Sequence, residues 1–186
     1  MTVESPNLLS IESRRFLLKS ARNAIEGALS NSVPPKFQTI DAELLQKCGV
    51  FVTLHKAGKL RGCIGYIVSD QPLYQTVAEV AVAAATRDPR FKRVMYEELS
   101  EITLELSVLT PLQRLDHIDE IQIGVHGLYI THKGQSGLLL PQVATEYGWG
   151  GTQFLQQTCK KARLPDNAWQ EPGVEIYLFS AQVFGE

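Results

Sequence analysis

The run Leu60-Arg61-Gly62-Cys63-Ile64-Gly65 constrains this chain more than any other stretch. Two glycines, a thiol and a permanent cation sit inside a segment that otherwise reads as a β-strand. Glycine weakens a strand interior and marks a bend or a close approach by a ligand or another backbone. Side chains alternate across a strand, so the run predicts Arg61, Cys63 and Gly65 on one face. A fixed cation near a thiol favours the nucleophilic thiolate. Gly65 has no side chain, which predicts open space beside the sulfur. Cation, thiol and space in a row read as the floor of a site, with Gly62 and Gly65 letting a ligand come close to the backbone. The plainer reading is a small cysteine packed between two glycines that serve a bulge, since free cysteine is among the most buried residue types.

The surrounding pattern predicts a hairpin. Val50 to His55 alternates as a strand, and Lys56-Ala57-Gly58-Lys59 supplies a turn in which glycine takes a positive φ. A two-residue loop at Ala57-Gly58 sets Cys63 opposite Val52 and Arg61 opposite Leu54. Upstream, Ser5-Pro6 opens the ordered part. Leu17, Ala21, Ala24 and Ile25 are among the apolar residues that recur at helical spacing across Ile11 to Leu29. Arg15, Lys19 and Arg22 line another face of that helix and read as solvated charge. Pro34-Pro35 marks a linker from Asn31 to Lys36.

Downstream, Asp70 and Pro72 open a helix that runs to about Arg87. Its alanines permit close packing on a sheet. Asp88-Pro89-Arg90-Phe91 stops it, because proline disfavours the helical region for the residue before it. This stop reads either as a loop pinned by Phe91 with an exposed ion pair, or as a ligand contact through Asp88 and Arg90. Ile102 to Val108 alternates as a strand. Ile121 to Val125 and Leu128 to Thr131 are short strand-like runs around Gly124-Val125-His126-Gly127. Gly134-Gln135-Ser136-Gly137 reads as a turn, Gln142 to Tyr147 as a short helix, and Thr152 as the cap of a helix bearing Cys159. Val174 to Val183 reads as one final strand. The order hairpin, glycine-rich return strand, proline-opened helix, strand occurs twice. That predicts an α+β fold of two unequal subdomains, with mainly antiparallel sheets flanked by helices and a cleft between them. The approximate lobes are 1–115 and 116–186.

Composition narrows the function classes. Eighteen Lys and Arg face twenty Asp and Glu, for a formal charge of −2. That balance argues against a general nucleic-acid or membrane binder. The start lacks a basic region followed by an apolar one, so it does not read as an export signal. Three cysteines (Cys48, Cys63 and Cys159) then fit free thiols in a reducing cytoplasm. No phosphate-loop pattern occurs. None of His55, His117, His126 and His132 pairs with a cysteine at metal-binding spacing. The sequence names no cofactor and no metal ligand. A thiol nucleophile wants a base near it. His126, Glu105 and Asp88 are candidates that only the fold can bring to Cys63. Cys159 lies on an apolar helix face, where it is core unless it approaches Cys63 and adds to the ligand site.

These segments resemble the AMMECR domain family. Its hallmark is the run Leu60-Arg61-Gly62-Cys63-Ile64-Gly65, matched here throughout. In family order follow Asp88-Pro89-Arg90-Phe91, Ser107-Val108-Leu109-Thr110, Gly124-Val125-His126-Gly127, Leu139-Leu140-Pro141-Gln142-Val143, Gly148-Trp149 and Thr158-Cys159. The segment Ala162-Arg163-Leu164-Pro165 departs, with Arg163 where family members often carry glycine. The resemblance implies the two-subdomain α+β fold with the hallmark facing a cleft. It implies a fold rather than a reaction. Prokaryotic relatives are often encoded beside a Memo-type dioxygenase-like protein and a radical-SAM protein, and eukaryotic relatives have been discussed as regulators.

Two functions follow. In the first, Cys63 is a nucleophile or redox thiol acting on a small anionic substrate. Arg61 and Arg90 hold the charge, and His126 serves as acid or base. In the second, the same site binds a small molecule or a protein partner without chemistry of its own.

Overall fold

The computed structural model describes residues 9–30, 32 and 38–186. The Ser5-Pro6 opening and most of the linker at 31–36 lie outside them. The chain divides into two compact units. One runs to Leu109 and takes back Gln182–Glu186; the other is Thr110–Ala181.

In the first unit, helix α1 spans Ile11–Ser30 and the single turn α2 Ala42–Leu45. Strands β1 (Val50–Lys56) and β2 (Lys59–Tyr66) form the hairpin, followed by α3 (Leu73–Thr86) and β3 (Ile102–Leu109). The last strand, β8 (Ala181–Gly185), completes a sheet of order β2-β1-β3-β8. Alternation along the strands sends Val50, Val52, Leu54, Leu104 and Leu106 into a core with α1 and α3. Each such side chain stabilises the fold by roughly 1.5–3 kcal/mol on burial. Arg22 does not belong to a solvated stripe. Its guanidinium donates to the Leu99 and Ile102 carbonyls at 2.9 and 2.7 Å and pairs with Glu186.

The turn is the expected two-residue loop, with Ala57 and Gly58 at φ of 50° and 72°. Both values are positive, and the twist of such a turn matches that of the strands. The register beyond it differs from expectation. His55 faces Leu60 but Leu54 faces Gly62, which leaves Arg61 as an extra, unpaired residue in a β-bulge. Cys63 therefore lies opposite Thr53, not Val52. A one-residue slip exchanges the faces of a strand. Cys63 accordingly joins the polar outer face, and Gly62 turns to the core. A Cβ at Gly62 would lie 2.3 Å from the Ala84 carbonyl oxygen. The glycine is there because α3 approaches the strand backbone to backbone.

In the second unit, β4 (Gln113–Arg114), β5 (Gly127–His132), β6 (Gln135–Leu139) and β7 (Glu175–Phe179) form an antiparallel sheet of order β4-β7-β5-β6. Helices α4 (Pro141–Glu146) and α5 (Gly151–Lys161) accompany it. Leu128, Leu178, Phe154 and Leu155 form part of the core. Several local expectations change. Ile121 to Val125 is a turn region, not a strand. The hairpin turn is Lys133-Gly134, and Gln135 already belongs to β6. Gly150 rather than Thr152 precedes α5 as its cap. The apolar run from 174 to 183 is two strands in different sheets. Thr110 and Ser180 separate them: the Thr110 N–H donates to the Ser180 carbonyl at 2.9 Å, and the Ser180 N–H to the Thr110 hydroxyl at 2.8 Å.

Helix α5 ends in a Schellman motif. The Leu164 N–H reaches the Cys159 carbonyl at 2.9 Å and the Arg163 N–H the Lys160 carbonyl at 2.9 Å, with Arg163 at φ 60°. That conformation suits glycine and costs an L-residue roughly 1–2 kcal/mol.

Two substitutions check these readings by chemical denaturation. Arg163→Gly raises the unfolding free energy by about 1 kcal/mol, by removing that strain. Gly62→Ala lowers it by about 1–3 kcal/mol, because neither strand nor helix backbone can give way.

Candidate functional site

The outer edge of β2 is where the singled-out residues meet. The backbone N–H of Cys63 points away from β1 and donates to Asp88 Oδ2 at 2.8 Å. Its carbonyl accepts from Arg90 Nη2 at 3.2 Å. Thus the loop after α3 caps a strand edge that would otherwise be open for pairing. Cys63 and Thr53 form a non-hydrogen-bonded cross-strand pair, whose side chains stand close. The Thr53 hydroxyl donates to Cys63 Sγ at 3.4 Å.

Asp88 is the centre of this arrangement. Its side chain is 2% exposed. Oδ1 accepts from the Arg90 N–H and Nε, both at 3.0 Å, and Oδ2 from Arg90 Nη2 at 2.7 Å. The planar guanidinium suits this two-pronged grip. The Arg90 hydrogen bonds hold the Asp88 carboxyl well below the usual carboxylate range; burial opposes this, and the Cys63 and Arg90 backbone N–H groups add to it. Arg90 is raised in turn, chiefly by Asp88 and further by the Cys63 side chain. Its own side chain remains 56% exposed. The ion pair is therefore buried at one end and open at the other.

Arg61 plays a different part from the one expected. Its guanidinium donates to Glu98 Oε1 and Oε2 at 3.3 and 3.0 Å and to the Lys92 carbonyl at 2.8 Å. It ties the bulge to the 3₁₀ turn Tyr96–Glu101. The cation that feels the Cys63 side chain is Arg90. Gly65 does not leave open space either: a Cβ there would lie 2.2 Å from the Phe51 ring, which occupies the place. Gly62 faces α3 and is not a ligand floor.

The other candidates lie in the second unit. His126 Nδ1 is 3.3 Å from the Gln122 N–H and 3.1 Å from the Glu120 carbonyl, so it braces its own turn. Cys159 is fully buried among Ile130, Ala162, Leu164 and Ala168, and burial raises its pKa. A sealed thiol in an apolar core is no ligand contact. Cys48 is buried as well, its pKa pushed up to about 11 by burial. Cys63, half-buried, is the accessible thiol of the three. Sequence reasoning passed over Thr53 and Phe51. Alternation of Val50 to His55 put both on one face; only the unrecognised bulge kept them from Cys63. The same register places His55 and Glu105 on the Cys63 face.

Among the described residues, no group of three or more His, Cys, Asp or Glu is arranged to hold a metal ion. No helix among them is long and apolar enough to cross a membrane.

Glu98 gives this network an acid limit. Arg61 first, then the Met95 N–H, lower its pKa from 4.5 to about 2, while burial opposes them. The folded state binds this proton less readily, so the stabilisation is complete above about pH 4.5 and is lost as pH falls towards about 2. Thermal melts across that range show a shallower loss for Glu98→Gln than for the parent chain, with residual acid sensitivity from Asp88 and Glu43, whose pKa values are also lowered.

The hallmark resemblance is matched by comparison with known proteins. A protein of Methanothermobacter thermautotrophicus is 45% identical over 185 residues, spanning 96% of each chain. One from Methanopyrus kandleri is 42% identical over 187 residues, spanning 96% of this chain and 90% of its own. The crystal structure of an uncharacterised protein from Pyrococcus horikoshii superposes with a TM-score of 0.84 at 38% identity, covering 92% of this chain and 90% of that one. The α+β architecture is thus shared with a solved relative. Residues 18–184 match the AMMECR1 family, to which this chain belongs.

Proposed function

We propose that this protein uses Cys63 as a nucleophilic thiol on a small anionic substrate, with Arg90 receiving the anionic group. The observation that carries this reading is the Asp88–Arg90 pair. Asp88 is buried and grips the guanidinium on one side. Arg90 also donates to the Cys63 carbonyl, so the cation stands beside the thiol residue without needing to be ordered by a ligand. Preorganised charge of this kind recruits a substrate without a further ordering cost. Thr53 orients the sulfur through its hydroxyl. In a substitution step, the Cys63 sulfur forms a bond to an electrophilic carbon as the leaving group departs with the bonding electron pair. The thiol proton passes to solvent.

Two buried thiols make labelling selective for Cys63. The test compares its alkylation by iodoacetate, an anion, and by neutral iodoacetamide. The ratio of the two rates cancels the ionised fraction of the thiol. The double substitution Asp88→Asn with Arg90→Gln removes the cation without leaving a lone buried carboxylate. It lowers the ratio about fivefold, as expected for about 1 kcal/mol of contact attraction in a solvated setting. A ratio equal to that of an unstructured cysteine peptide, and unmoved by the double substitution, overturns the proposal.

A further inference from the structure

The β-bulge at Arg61 has a second effect on the face that bears Cys63. Once Cys63 lies opposite Thr53, Thr53 in turn lies opposite Glu105 on β3. Cys63, Thr53 and Glu105 thus form a row across three neighbouring strands, with their side chains on the same outer face. Leu104 and Leu106, flanking Glu105, are buried in the core on the opposite face. Glu105 itself is half-buried. Among the described residues its carboxylate has no ion-pair partner and no side-chain hydrogen bond. Every other carboxylate brought to this edge is engaged: Asp88 by Arg90, and Glu98 by Arg61 and Lys56. An unpaired carboxylate on this face is free to accept a cationic group.

We infer that Glu105 is the subsite for a cationic group of the same ligand, so that the substrate is a zwitterion lying across β2, β1 and β3. This rests on the proposed use of Cys63 and Arg90. Arg90 takes the anionic end at the β2 edge, Glu105 takes the cationic end, and the electrophilic centre lies over Cys63 between them. Two strand spacings set the Cys63 and Glu105 backbones about 10 Å apart, and Arg90 sits on the outward Cys63 carbonyl, so the two charges are separated by at least that distance. A tripeptide in extended form, at about 3.3–3.6 Å per residue, is the shortest peptide that reaches this length. The ligand class is therefore a short amino- and carboxyl-terminated molecule such as a small peptide, rather than a simple carboxylate or phosphate.

The test labels Cys63 with three methanethiosulfonates: the cationic 2-aminoethyl, the anionic 2-sulfonatoethyl and the neutral methyl reagent. In each, the Cys63 thiolate attacks the sulfenyl sulfur, a disulfide forms and methanesulfinate leaves. Glu105→Gln lowers the cationic-to-neutral rate ratio several-fold and leaves the anionic-to-neutral ratio no lower. Asp88→Asn with Arg90→Gln does the reverse. Triglycine protects Cys63 from the neutral reagent, and N-acetylation of the peptide or Glu105→Gln abolishes that protection. A cationic-to-neutral ratio unchanged in Glu105→Gln overturns this inference, as does equal protection by N-acetyl-triglycine. Loss of the anionic arm alone counts instead against the role given to Arg90, so the two failures are separable.

Discussion

The first unit depends at one edge on a single buried carboxylate. Asp88 accepts one hydrogen bond from the strand and three from the Arg90 side chain and backbone. Without such a partner the outward N–H of Cys63 would face solvent or another chain, and a lone ionised carboxylate at this depth would be strongly unfavourable. Each group makes the other tolerable. The strand edge gains a cap, the carboxylate gains donors, and the guanidinium gains a fixed position. Helix α3 brings this about, because it must end at Arg87 before the proline and so delivers Asp88 to β2. The alanine-rich face of α3 and the missing side chain of Gly62 let the helix come close enough.

Much of this was readable from residue order. The helix at 11–30, the alanine helix before Asp88, the Ala57-Gly58 turn and the alternating strand at 102–109 all follow from local periodicity and turn chemistry. The hallmark run drew attention to β2, whose outer edge Asp88 and Arg90 cap at Cys63. What the sequence could not reveal is register. Leu60 to Gly65 reads equally well with or without an extra residue, since a bulge is decided by what packs against the strand on both faces. Here the Ala84 carbonyl on one side and the Phe51 ring on the other select the arrangement. From that one slip came three errors: Cys63 opposite Val52, Arg61 as the cation of the thiol, and empty space at Gly65.

Other expectations turned on tertiary placement. His126 and Cys159 were candidates because their residue types carry chemistry, yet tertiary placement decides whether they are used. One braces a turn and the other fills a core. The run from 174 to 183 looked like one strand because the apolar pattern passes through Ser180 without a break. Its interruption comes from a partner seventy residues away in sequence, Thr110, which local periodicity cannot register.

That interruption determines how the chain is threaded. The first sheet gives up its path at Leu109, lets seventy-two residues complete a separate sheet, and resumes with β8. The second unit is therefore an insertion, entered and left at neighbouring points. During synthesis β3 stays an uncovered margin until the whole insertion has been made, because the strand that shields it follows the insertion in the chain. Strand β3 carries Glu105, so this flank of the Cys63 face gains its neighbouring strand only after the whole insertion has been synthesised.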